Sequence, residues 1–441
     1  MSVFPARPVA VDTARCAACI LAAALYLFPP GVRSQDLLSF DDALRAAQQR
    51  SRQLPAHDAT AAAAREMAVA AGQLPDPVLK GGLVNLPVDG PDRFTLTRDF
   101  MTMRAIGISQ DFTRADKRSA RSARFDREAE LAQAAGATAL ADLQRETAVA
   151  WLERHHRERM FELMQSLHAE AQLQVAAADA AFRGGRGSQA DAFAARSAVA
   201  EAADRLLGMQ RDIATATTRL ARWVGARAGQ GLGRLPDLKT LPPELGAAGS
   251  AIETALEDHP RIGWLLRKEA LARADAEVAQ REKAPDWSAE LMFSQRGPAY
   301  SNMVSLTVSI PWRWDPGKRQ DRELAARLAL VQRERDEREE ALREVLAGAR
   351  ATLQSWQSNL ERQTHYETTL IPLAAERLRA ALSAYRGGSG ALGAVLDARR
   401  TEIEARLERL RIEMETAGLW AQLITLVPAR SGTAMTTEQR P

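Results

Sequence analysis

The sequence predicts a mainly α-helical protein, written twice, with a small β part suited to a membrane. Three observations support this. The stretch "AFRGGRG" at Ala181–Gly187 returns as "AYRGGSG" at Ala384–Gly390, each copy set between long runs rich in Ala, Leu, Arg and Glu. Only 5% of residues are aromatic, a composition that favours long helices over one thick globular core. And "NMVSLTVSIPW" at Asn302–Trp312 alternates apolar and polar residues, the period of a strand with two unlike faces. Charge is dense but balanced, 59 bases against 56 acids for a net +3. No basic block carries interleaved aromatics, so nucleic acid is not an expected partner.

The N-terminus reads as an export signal over 1–34. Arg7 and Arg15 form a basic lead, Cys16–Phe28 is apolar, and "PPGVRSQ" breaks the run with Ser34 as a cleavage site. The run is too short for a membrane-spanning helix, which needs about 20 residues. Cys16 and Cys19 stand at its start rather than after it, so simple cleavage is expected rather than lipidation. The mature chain then holds no cysteine, which excludes disulfides and thiolate metal sites. No later stretch resembles a transmembrane helix. A membrane crossing must therefore use strands.

The rest parses as two repeats of about 200 residues, 35–230 and 250–428, with a linker at 231–249 and a disordered tail at 429–441. Each repeat opens with a helix, 40–72 and 251–282, announced by "SFDDAL" (Ser39–Leu44) and "SAIETAL" (Ser250–Leu256). Ser250 with Glu253 fits a capping box. Two strand segments follow, 77–113 and 286–313, and "GISQDFTRADKR" (Gly107–Arg118) parallels "TVSIPWRWDPGKR" (Thr307–Arg319). Very long helices come next, 115–182 and 317–384, each about 100 Å at a rise of 1.5 Å per residue. The glycine bend turns each into a returning helix, 189–223 and 391–426. Leu342, Leu346, Ala349, Leu353, Trp356 and Leu360 alternate spacings of four and three. Ile403, Leu407, Leu410, Met414, Ala417, Ala421 and Ile424 do the same. These are coiled-coil seams, expected to zip each hairpin along its own two arms.

In "NMVSLTVSIPW", Val304, Leu306, Val308 and Ile310 point one way, toward lipid, and Ser305, Thr307 and Ser309 the other. The opposing strand, Asp286–Arg296, places Trp287, Ala289, Leu291 and Phe293 on one face. Trp287, Tyr300, Trp312 and Trp314 stand near strand ends, where membrane barrels carry aromatic girdles. In the first repeat, Ile106 and Ile108 lead into Gln110 and Phe112, opposite "PVLKGGLVNLP" (Pro77–Pro87). Four strands cannot close a barrel, since the smallest has eight, and open edges in lipid cost several kcal/mol per unpaired group. Other copies of the chain must supply the missing neighbours. Two copies and three both satisfy this requirement; three give twelve strands.

With these features together, the chain resembles the TolC-like outer-membrane efflux proteins over about 36–428. Within them, "GQLPDPVLKGGLVNLP" (Gly72–Pro87) and "FTLTRDFMTMRAIGISQDF" (Phe94–Phe112) resemble the heavy-metal efflux branch, the CzcC/CusC-like proteins. The resemblance implies a duplicated TolC-like fold whose long antiparallel helical hairpins and four β-strands per chain close as a homotrimer. That trimer joins a 12-stranded β-barrel in outer-membrane lipid to an α-helical periplasmic tunnel in a Gram-negative bacterium. It implies docking to a periplasmic adaptor (membrane fusion) protein and an inner-membrane resistance–nodulation–division pump, and passive conduction of heavy-metal cations of the copper/silver or cobalt/zinc/cadmium class. The bends, with Arg183, Gly184, Gly185 and Gly187 in one and Arg386, Gly387, Gly388 and Gly390 in the other, become adaptor-docking tips. Tight turns alone would also need glycine there.

The family narrows its closed entrance with acidic residues just past the second tip. "GAVLDARR" (Gly393–Arg400) matches that motif, with Asp397 as one gate carboxylate. Ala394 stands where relatives often carry a second Asp, and Asp191 of the first repeat occupies the matching place. A plain salt bridge from Asp397 to Arg399 or Arg400 is the competing expectation.

Other candidates are weaker. His155, His156 and His168 are expected at solvated helix positions rather than at a metal. Met101 and Met103 have thioethers that suit soft cations, but loop or barrel-rim packing explains them. No nucleotide loop, GxSxG elbow or HExxH occurs, so neither an enzyme nor a cofactor is expected. Two alternatives remain: the same fold serving drug efflux or type I secretion, or a periplasmic coiled-coil adaptor or scaffold with no membrane strands.

Overall fold

The computed structural model describes residues 37–185, 187–241 and 256–426. The expected signal, the Ser250–Glu253 capping box and the C-terminal tail lie outside them. The described elements are, in chain order, α1 (Phe40–Arg50), α2 (Gln53–Ala71), β1 (Val78–Val84), β2 (Met103–Phe112), α3 (Ala115–Arg183), α4 (Gln189–Val224), α5 (Pro260–Glu282), β3 (Trp287–Gln295), β4 (Met303–Ser309), α6 (Gln320–His365), α7 (Ile371–Arg386) and α8 (Leu392–Ile424). The duplicated, mainly helical architecture with a small four-stranded sheet expected from the sequence is the one observed.

Prolines correct the expected helix lengths. The first helix is two, because the Pro55 ring bars the carbonyl of Ser51 from an intrahelical bond, and the chain turns extended at Ser51 (φ −58°, ψ 130°). In the second repeat Pro260 starts α5, and His259 Nδ1 accepts the Arg261 amide at 3.1 Å. α3 holds no proline and runs 69 residues unbroken. Its counterpart holds Pro372, and a single π-helical turn, Tyr366–Leu370, joins α6 to α7. There the Ile371 amide reaches back five residues to the Tyr366 carbonyl, which absorbs the bond that proline cannot make.

The core is a belt where α1, α3, α4, α6 and α8 meet. Trp151, Trp356, Trp420, Leu220, Ala417 and Ala421 are buried together, with Phe40 edge-on to Trp151 at 5.6 Å. Each indole N–H donates to a carbonyl of a connecting segment: Trp151 to Leu38 (3.0 Å), Trp356 to Leu238 (3.2 Å) and Trp420 to Thr240 (2.9 Å). The described part of the linker is thus a strap around the belt, paired to the N-terminal segment at Leu38 and Leu232.

The seams also differ from expectation. Leu407 and Leu410 of α8 bury against Met160 and Met164 of α3, and Leu342 packs with Ile262 and Leu265 of α5. The α8 seam therefore holds the two repeats to one another, whereas the α6 seam packs on the opening helix of its own repeat. Small Ala positions dominate the buried faces, so the rods approach closely.

The sheet has order β1-β2-β3-β4, all antiparallel. Gly107 permits its closest approach: a Cβ there would lie 2.8 Å from the Leu291 carbonyl oxygen and 3.2 Å from Met292 Cα. Both obstacles are backbone, so the strands must part. Gly107→Ala should destabilise the assembled protein by about 1–3 kcal/mol, read as a lower thermal midpoint in detergent; an unchanged midpoint would contradict this register.

Candidate functional site

Register places two chemically unlike faces on the sheet. Directly paired residues share a face. One face reads Leu79–Ile108–Leu291–Leu306 in one row, Gly81–Ile106–Phe293–Val304 in the next, and Gln110–Ala289–Val308 in a third. The other reads Val78–Ser109–Glu290–Thr307, Gly107–Met292–Ser305 and Asp111–Ser288–Ser309, with Lys80 ion-paired to Glu290. Among the described residues, nothing covers the apolar face. Val304 is 69% exposed, Leu306 71% and Val308 56%, and Ile310, just beyond the end of β4, is also exposed. Aromatic side chains ring the helix-side end, where Phe112 stacks on Trp287 at 4.1 Å and Trp312 and Trp314 are exposed. Among the described residues, no helix is long and apolar enough to cross a membrane.

At the opposite extreme lie the two bends, built alike. Gly184 and Gly387 close the helices, their amides donating to Ala180 and Ser383 carbonyls. Gly185 and Gly388 follow with φ of 67° and 75°, which glycine alone adopts freely. Gly187 and Gly390 pack on Ala181 and Ala384, where a Cβ would meet the Ala Cβ at 3.3 and 3.0 Å. Turn geometry thus accounts for the repeated glycines, and Arg183 and Arg386 are the last residues of α3 and α7.

The returning helices start differently. Ser188 and Asp191 form a reciprocal cap on α4: Asp191 Oδ2 accepts from the Ser188 hydroxyl (2.7 Å) and amide (3.1 Å), and Ser188 Oγ accepts the Asp191 amide (3.1 Å). Those bonds, the hydroxyl's first, hold the Asp191 carboxyl below the usual carboxylate range. The spacing Ser188–Asp191 signals this cap in the sequence. α8 starts at Ala391 with no side-chain cap. Asp397 is exposed and takes no ion pair among the described residues. Arg399 instead pairs with Glu170 and with Glu402, and Arg400 with Glu404 at 2.9 Å. The expected salt bridge from Asp397 to its neighbouring arginines is therefore corrected: the i,i+4 and cross-hairpin acids outcompete it.

The histidines need correction too. His156 is fully buried and His155 half-buried, because α3 turns that face into the belt. The His156 Nδ1–H donates to the Leu152 carbonyl at 2.8 Å, and Nε2 lies 3.9 Å from Glu413 Oε1. His155 stacks on Trp151 at 5.4 Å. Burial, then His156 and Arg159, pushes the His155 imidazole down to about 4. His168 joins neither. Met101 is exposed in the β1–β2 loop, and Met103 pairs with Val84 at the start of β2. Among the described residues no three His, Cys, Asp or Glu converge as a metal cluster would require.

No protein-family model matches the sequence, and comparison with curated proteins finds no match. Solved structures do match. The outer membrane protein VceC of Vibrio cholerae aligns with a TM-score of 0.71 at 17% identity, covering 87% of this chain and 95% of that one. The Campylobacter jejuni CmeC outer membrane channel gives 0.72 at 12%, covering 88% and 85%. CusC, described as forming a transmembrane channel, gives 0.69 at 15%, covering 89% and 92%. The chain has their fold. At such identities the likeness is one of architecture, so cargo, membrane and partners are matters for proposal.

The half-buried His155 sets a pH dependence. The unfolded chain binds a proton at His155 below about 6.5, whereas the folded chain does so only near 4. Stability at this group is complete above about 6.5 and is lost as pH falls toward 4. His155→Gln should therefore flatten the fall in thermal midpoint between pH 7 and pH 4.5 relative to wild type. Parallel curves would remove His155 from the acid response.

Proposed function

We propose that the protein is the outer-membrane channel of a tripartite resistance–nodulation–division efflux system, conducting heavy-metal cations passively from periplasm to exterior. The observation that carries this is the uncovered apolar face of a four-stranded sheet joined to helical rods about 100 Å long. A water-soluble adaptor or scaffold has no use for that face. In the proposed trimer the strands close as a 12-stranded barrel, with Val304, Leu306, Val308 and Ile310 against lipid and the Ser, Thr and Lys80–Glu290 face lining water. The helices then form the periplasmic tunnel and the glycine bends its tips, against which an adaptor docks.

Asp397 is proposed as the gate carboxylate. It is exposed near the bend and unpaired, so three copies converging on an axis would attract cations. Asp191 is the lesser partner, since its carboxylate already serves the α4 cap. The metal cargo is supported by the resemblance of Gly72–Pro87 and Phe94–Phe112 to the heavy-metal branch. Drug efflux and type I secretion use the same tube.

Two experiments test this. Reconstituted in planar bilayers, the protein should form cation-preferring pores, and Asp397→Ala should weaken block by multivalent cations several-fold; identical block would take Asp397 out of the gate. Deletion of the gene should lower tolerance to at least one of Cu, Ag, Zn, Cd and Co. Unchanged tolerance to all five would overturn the metal cargo and leave the channel standing.

A further inference from the structure

The β1–β2 loop, residues 85–102, is held in one shape by its own bonds. Asp99 Oδ1 accepts the amides of Met101 (2.8 Å) and Thr102 (3.0 Å), and the buried Thr102 hydroxyl donates to the Asn85 carbonyl at 3.1 Å. The loop is also clamped to the β3–β4 turn, where a Cβ on Gly297 would lie 2.1 Å from the Thr97 carbonyl oxygen. Within this frame Phe94 has φ 54°, a conformation a bulky side chain adopts at a cost of about 1–3 kcal/mol. The strain hides nothing: Phe94 is 57% exposed, and Phe100 and Met101 are exposed beside it.

Arginines accompany these apolar side chains. Arg104 occupies the last row of the sheet's apolar face, Leu83–Arg104–Gln295, exposed and without an ion pair among the described residues. Arg98 is exposed and likewise without an ion pair among them, and Arg93 lies over the Phe94 ring at 4.7 Å. A guanidinium at the edge of a hydrocarbon layer must reach a polar partner, and a phosphate matches its donors in pairs. Asp99 is consumed by the turn. Asp89 and Asp92 share the loop and temper its charge, so an apolar seat and the arginines must act together.

We propose that this loop and the rim below it grip the phosphate-bearing outer leaflet of the membrane: Phe94, Phe100 and Met101 seat in the interfacial layer, and Arg93, Arg98 and Arg104 engage lipid phosphate. The proposal rests on the barrel, which sets the loop on the side away from the helices. It makes the loop an anchor that fixes the depth of the pore, distinct from the aromatic ring at the helix-side end.

The test uses the full-length protein in nanodiscs of neutral lipid. It is titrated with a bis-phosphorylated glucosamine lipid (lipid A), its dephosphorylated form and inorganic phosphate, and retained lipid is read by native mass spectrometry. Wild type should hold the phosphorylated lipid about ten-fold more tightly than the dephosphorylated one, a comparison that needs no variant. R93Q/R98Q/R104Q should erase that difference, and F94A/F100A should weaken both lipids. Equal binding of the two lipids by wild type, an undiminished preference in the triple arginine variant, or displacement of lipid by equimolar phosphate would overturn the proposal. Conductance in neutral bilayers is measured alongside: pores that conduct while lipid preference is absent dismiss the anchor alone, whereas a wild type without pores dismisses the barrel.

Discussion

A backbone amide or carbonyl in hydrocarbon has no water to turn to, and the proposed channel is arranged around that constraint. The chain ends its sheet at β1 and β4, each with one row of backbone groups lacking a partner strand in the chain. The same sheet turns a largely apolar face outward, polar only in its end rows. Lipid would satisfy the face and make the edges intolerable, while water would satisfy the edges and oppose the face. Joining β4 of one copy to β1 of the next resolves both at once. In the proposed channel the pore is then a property of the assembly, and the polar face with its Lys80–Glu290 pair becomes a lumen.

Joining sheets end to end also dictates how the helices must behave, because each rod hangs from a strand end. The belt holds these rods in register. Three indoles bond the two connecting segments, so removal of either segment would orphan buried donors. Below and above the belt, carboxylates buried between helices are each met by two cations, as Glu402 is by Arg399 (3.0 Å) and Arg406 (2.6 Å). Glu269 likewise meets Arg273 and Arg338. Such pairs add little net stability, but a displaced partner leaves a costly buried charge, so they favour one alignment of the rods over its neighbours.

How much of this was legible depended on whether a feature is local. The period-two pattern of Asn302–Trp312 and the paired glycine bends are local, and the sheet, the hairpins and their order follow from them. The prolines were equally visible. Pro55, Pro260 and Pro372 mark three interruptions that a reading based on helical periodicity passed over, and the π-turn at Tyr366–Leu370 is the least expected of them. The Ser188–Asp191 cap is likewise written in four residues, although the family resemblance points to Asp191 as a gate carboxylate. Other features are not local at all. That His156 faces the core depends on the rotation of a 69-residue helix, and that Leu407 meets Met160 depends on how two hairpins cross. One partner of Arg399, Glu170, lies in the other repeat. The spacings of Glu402 from Arg399 and of Glu404 from Arg400, by contrast, are local signals that the arginines near Asp397 look elsewhere.

Closure by sister chains is most directly tested by covalently joining the sheet's two edges. Leu79 and Leu306 share one row on the apolar face, on β1 and β4. The double variant Leu79→Cys, Leu306→Cys is treated in the assembled, membrane-embedded protein with a flexible bismaleimide that spans neighbouring strands whatever their stagger. Bands of one, two and three chains, ending at three, are the predicted result. Bands confined to the monomer, or a ladder running on without limit, would contradict it.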